Sequence, residues 1–225
     1  MRKLLVILAL ISAQVFAKGD PKEDVQIWVP VNINAKFSDN WRGFLEVQPR
    51  IGNNMETLNV AIVRPAIGYA INNDWTVWGG YLMQSQVNSQ NDYEIENRSW
   101  EGLTFKHKYD NVIFEARNRL EQRYLPHNHD ISHRWRTRFR VEYLLDNSPW
   151  SIIGSEEIFV NLNDNEVNKS LQAGENQNRA YLGAGYRFNQ SFQVETGYLN
   201  QYSFNSGTKL DQSNHVWMTN LNLNF

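Results

Sequence analysis

Alternation with a period of two runs almost end to end through this chain, and SHRWRTRFRVEYLLD, Ser132 to Asp146, is its sharpest instance. On a helix, residues two apart sit about 200° apart, so Arg134, Arg136, Arg138 and Arg140 would scatter over two faces. A strand puts all four arginines on one face with Glu142. His133, Trp135, Thr137, Phe139, Val141, Tyr143 and Leu145 then line the other. The same pattern predicts eleven strands, near 25–37, 41–51, 58–71, 75–88, 98–109, 111–123, 132–145, 150–160, 177–188, 192–204 and 213–225, and no helix in the mature chain. Most are longer than the usual soluble strand of about 5 to 6 residues and match the roughly 9 to 11 that a tilted strand needs to cross a bilayer.

The connections narrow the choice. Ser38-Asp39-Asn40, Asn72-Asn73-Asp74, Asp110-Asn111, Asp146-Asn147-Ser148-Pro149 and Asn189-Gln190-Ser191 read as tight turns. Longer polar loops are expected between them, near 52–57, 89–97, 124–131, 161–176 and 205–212. Short turns at one end and long loops at the other are the pattern of a transmembrane antiparallel β-barrel. Aromatic residues flank the turns: Phe37 and Trp41, Tyr69 and Trp75, Tyr109 and Phe114, Tyr143 and Trp150, Phe188 and Phe192. Such rings suit the headgroup level of a membrane. The chain closes on Phe225, on a strand face shared with Trp217, Thr219, Leu221 and Leu223, which resembles the assembly signal of bacterial outer-membrane proteins. Single-chain bacterial barrels have even strand numbers. The expectation is therefore a barrel of about twelve strands, with ten as the fallback, residues 18–27 supplying an extra strand or a segment threading the lumen.

Residues 1–17, MRKLLVILALISAQVFA, have a basic start, a short apolar run and small residues before a cleavage point, and are expected to be an export signal preceding a barrel over 18–225. Their apolar run is too short for a spanning helix of about 20 residues. Removing Arg2 and Lys3 leaves 20 basic against 24 acidic residues, which argues against a nucleic-acid partner. The chain has no cysteine, so it can form neither a disulfide nor a lipidated anchor.

If lipid lies outside, the charged faces line the lumen. The sixth and seventh predicted strands contribute seven Arg and three Glu there, among them Glu115, Arg117, Arg119, Arg134, Arg136, Arg138, Arg140 and Glu142. The ninth and tenth add Arg179 and Glu195. Two roles fit these residues: an ion-paired network filling a narrow lumen, or a basic path for small anionic solutes. The network is the preferred reading, because a barrel of this size has limited room and carboxylates are at hand. The expected function is that of a non-catalytic narrow channel or structural envelope protein in the bacterial outer membrane, with membrane lipids and the barrel-assembly machinery as partners and no cofactor. An enzymatic alternative is a lipid hydrolase using Asp211, Ser213 and His215, which share one face of the last strand. His127, His129 and His133 have spacing compatible with a metal, but a polar loop that happens to carry histidines is the preferred reading, and no metal is expected.

Four segments resemble a known family: RFRVEYLLD around the arginine row, EEIFVNLN at Glu156 to Asn163, NRAYLGAGYRFN at Asn178 to Asn189 and VETGYLNQ at Val194 to Gln201. In order and content they are similar to the bacterial family called domain of unknown function 2490, with Glu156 where asparagine is common. The resemblance implies an exported outer-membrane barrel and brings no activity and no catalytic residue.

Overall fold

The computed structural model describes residues 20–88, 90–126, 130–165, 172–205 and 210–225. The expected export signal, His127 and His129 lie outside them. Twelve strands are described: β1 (Lys22–Trp28), β2 (Val31–Lys36), β3 (Trp41–Gly52), β4 (Thr57–Ala70), β5 (Trp75–Val87), β6 (Tyr93–Tyr109), β7 (Val112–Tyr124), β8 (Ile131–Leu144), β9 (Trp150–Asn161), β10 (Gly174–Arg187), β11 (Phe192–Ser203) and β12 (Gln212–Asn224). From β2 to β12 each strand pairs antiparallel with the next, and β12 returns to β2, closing the barrel.

Closure explains the strand count. β1 and β2 run parallel to β12 in one continuous register, Lys22 opposite Gln212 and Val31 opposite Leu221, each 190 positions apart like the bonded pair Asn32 and Asn222. They are two pieces of one stave, interrupted at Val29 and Pro30, where proline has no N–H to offer the ladder. Pro30 still accepts the Leu221 N–H at 2.8 Å. Twelve strands thus close as eleven staves, and an odd number forces first and last to be parallel. The segment expected as one strand over 25–37 is therefore two, and Lys22 lies at the opposite end of the barrel from Phe225.

Loop lengths depart from expectation at two places. β6 begins at Tyr93, so the connection expected over 89–97 shortens to 88–92. The run Glu94, Glu96, Arg98 reads as loop by polarity, yet it is one face of a strand whose other face carries Tyr93 and Ile95. The β3–β4 connection is only 53–56, in which Asn53, Asn54 and Met55 all adopt positive φ. Long loops are confined to 125–130, 162–173 and 204–211.

The outward face is apolar and exposed, with Ile67, Met83, Ile95, Ile152, Leu182 and Trp217 among its side chains. At the short-turn end, rings meet in chains: Trp75, Phe105, Phe114 and Phe139 at centroid separations of 4.9, 6.2 and 6.4 Å, and Trp150, Tyr186, Phe188 and Phe192 at 4.7, 4.7 and 5.2 Å. An apolar band edged by rings is the surface that a bilayer covers. Apolar side chains are also buried inside the barrel, in two clusters. One is Trp28, Ile153, Tyr181, Leu199 and Val216; the other is Ile62, Leu82 and Trp100.

Candidate functional site: an arginine and glutamate lumen

The register of β7 on β8 sets the site. Glu115 faces Arg140 and Glu121 faces Arg134, but Arg117 faces Arg138 and Arg119 faces Arg136. Like charges directly opposite each other destabilise a sheet unless carboxylates arrive from elsewhere. They come from Glu157 on β9 and from Glu115 and Glu121 elsewhere on β7. Glu121, 1% exposed, accepts from Arg134 Nε at 3.0 Å and Arg136 Nη1 at 2.6 Å, with Arg98 Nη1 at 3.9 Å. Glu96 accepts from Arg98 Nε at 2.7 Å and Arg123 Nε at 2.6 Å. Glu157 accepts from Arg117 at 3.1 Å and Arg136 at 2.9 Å, with Arg179 at 3.6 Å.

Nearer the short turns, Arg138 donates to Glu115, and Arg140 donates to both Glu142 at 3.0 Å and Glu195 at 2.8 Å. Aromatic faces fill the gaps between guanidinium groups. Arg134, Arg136 and Arg179 lie 5.1, 4.6 and 4.6 Å from the Phe159 ring centre, and Arg50 lies 3.7 Å from that of Trp28. Stacking of this kind suits arginine, whose planar group is weakly hydrated.

All ten residues singled out from the sequence point into the lumen, and nine of them form ion pairs with one another or with Glu121, Glu157 and Arg187. Arg119 is the exception: it stacks on Trp100 at 4.1 Å and donates no hydrogen bond to any described residue. Sequence reasoning missed Arg64, Glu96, Arg98, Glu157 and the rings of Trp28 and Phe159. The available signal was parity: Glu96 and Arg98 alternate with Ile95 and Asn97, and Glu157 with Ile158.

The lumen has two halves. A cavity of about 860 Å³ is lined at the short-turn end by Asn73, Gln190 and Phe225 and reaches Trp28, Arg119 and Arg136 midway along the barrel. Past that level Arg98, Glu96, Arg123, Glu121 and Arg134 are buried and tied together, so the cavity has the form of a cup open toward the short turns.

Asp211, the last residue before β12, and Ser213, on the outer face of that strand, are 5% and 7% exposed. Each of the three hydrolase candidates is bound to a different β11 side chain: Asp211 accepts from Tyr202 at 3.0 Å, Ser213 from Asn200 at 3.0 Å, and His215 Nδ1 meets the Tyr198 hydroxyl at 2.6 Å. Of the histidine trio only His133 is described; its backbone N–H donates to Asn163. A second outward polar group was not foreseen. Glu101, halfway along β6, accepts from Gln122 at 3.1 Å, beside Ser99 and the open face of Gly79.

With this geometry in hand, comparison with solved structures finds the NanC porin, at a TM-score of 0.56 and 12% identity, covering 90% of this chain and 99% of that one. That likeness shows a porin-type barrel fold. An uncharacterized protein of Methylorubrum extorquens is 33% identical over 225 residues, 98% of this chain and 96% of the relative. The model for proteins of unknown function DUF2490 matches residues 25–214, from the second half of β1 into β12 and across every strand of the arginine lumen. The chain therefore belongs to the DUF2490 family.

Proposed function

We propose that this protein is a non-catalytic barrel of the bacterial outer membrane whose lumen is held shut on its long-loop half, a structural or solute-binding envelope protein rather than an open diffusion channel. The observation that carries this reading is the burial of Glu121, 1% exposed inside the barrel among Arg98, Arg134 and Arg136 of neighbouring strands. Breaking such a pair by removing one partner costs about 3–5 kcal/mol, so the closure is not readily undone by thermal motion. The ring-edged apolar surface and the porin-type fold support membrane insertion. In this reading residues 1–17 direct export, Phe225 engages the assembly machinery, the short turns face the periplasm and the cup opens inward.

Fractionation tests the placement: the full chain is expected in the outer membrane as a band whose mobility shifts on heating, and a freely soluble product would overturn it. Lipid hydrolysis would need Ser213 bonded to His215, whereas each is held by a β11 partner. Ser213→Ala is accordingly expected to leave phospholipid hydrolysis by outer-membrane preparations unchanged, and a loss of hydrolysis would restore the enzymatic reading.

A further inference from the structure

One buried arginine of the lumen has neither an ion pair nor a hydrogen-bond acceptor among the described residues. The cavity is lined by twelve Lys and Arg side chains and six Asp and Glu, and the glutamates are already engaged. Glu46 takes Arg64 at 3.0 Å, Glu157 takes Arg117 and Arg136, Glu115 takes Arg138, and Glu142 and Glu195 share Arg140. Asp74 meets His107 at the rim. Arg119 is left over. It is 5% exposed and lies in the cavity wall, and its Nε and Nη1 have no acceptor among the described residues.

Its position is built. Trp100 sits opposite Gly80 and Arg119 opposite Gly102. A Cβ at Gly80 would collide with the Trp100 indole, and one at Gly102 would come within 3.1 Å of Arg119 Cγ. Two cross-strand glycines thus make room for the ring and for the arginine stem, and the guanidinium rests on the ring at 4.1 Å. A planar donor fork fixed in this way, buried and with no carboxylate of the described residues in ion-pair contact, lacks one thing: an acceptor with two oxygens.

We infer that Arg119 seats a small oxyanion, a carboxylate or phosphate group, entering the cup from the short-turn end. The inference rests on the lumen being the working surface of the barrel. Arg117, two residues along the same strand face, adds positive field while its own Nη2 is held by Glu157. A neutral ligand would leave the buried charge uncompensated, which costs more than any contact it could add.

The test is calorimetric titration of the purified full chain in detergent micelles with inorganic phosphate, and separately with acetate, against a chloride background of equal ionic strength. Saturable binding of one of these oxyanions is expected, weakened at least tenfold in Arg119→Met, which keeps an apolar stem over Trp100, and nearly unchanged in Arg187→Gln at the cup mouth. Phosphate alone binding assigns a phosphate ligand, and acetate alone a carboxylate. A heat-shifted band confirms that each variant is folded, and thermal stabilisation by the bound anion is expected in the wild type and absent in Arg119→Met. Equal binding by folded Arg119→Met, or no binding of either anion by the wild type, overturns the inference. Failure here with a wild type that stays non-conducting in bilayers would remove the anion seat and leave the closed barrel standing.

Discussion

Glu121 and Glu101 are carboxylates on neighbouring strands with opposite surroundings. Glu121 is wrapped by three guanidinium groups, so Glu121→Gln leaves them short of charge and is expected to lower unfolding stability by about 3–5 kcal/mol, read from urea titration in lipid vesicles. The exposed pair Lys36 and Asp39, 3.3 Å apart at a turn, is the control, and Asp39→Asn is expected to change stability by less than about 1 kcal/mol. Glu101 faces outward at mid-strand, where Gln122 is its hydrogen-bond donor among the described residues. In a bilayer, Glu101→Leu is expected to stabilise the barrel by about 1 kcal/mol, an acidic side chain on the lipid face costing less than a basic one. No gain would mean that this stripe is covered by something other than lipid.

At the scale of the strand, alternation made most of the wall legible. The parity of Arg134 to Arg140 gave the inward face of β8, and adjacency in the chain gave its pairing with β7 across the 125–130 loop. Which carboxylate meets which arginine was not legible, because Glu96 and Glu157 come from β6 and β9, and parity says nothing about distance across a lumen. The glycines opposite Trp100 and Arg119 were equally silent, since their role exists only once the register is known. Gly80→Val is expected to displace the Trp100 indole and cost about 1–3 kcal/mol by overpacking. Pro30 hid the first stave by splitting it, and the resulting parallel closure places Lys22 at the long-loop end. An epitope inserted between Gly19 and Asp20 is accordingly expected to be accessible on intact cells, while one following Phe225 is not. Labelling of the first only after lysis would contradict the parallel closure.

For the whole molecule, the apolar band and the ionic interior answer different questions. The band concerns where the barrel sits, and the interior concerns what can pass. The ring of arginines, read from sequence, fitted a basic pathway as well as a packed network. The structure ties most of them into ion pairs and leaves Arg119, in the wall of a cavity of about 860 Å³, without an acceptor for its Nε and Nη1 among the described residues. Conductance of the full chain reconstituted in planar bilayers tests the closure most directly. The wild type is expected to show no steady single-channel steps, and Glu121→Gln with Trp28→Ala, which removes the central carboxylate and a buried ring, is expected to produce discrete anion-preferring steps. Stable ohmic steps from the wild type at low voltage would contradict the closed lumen.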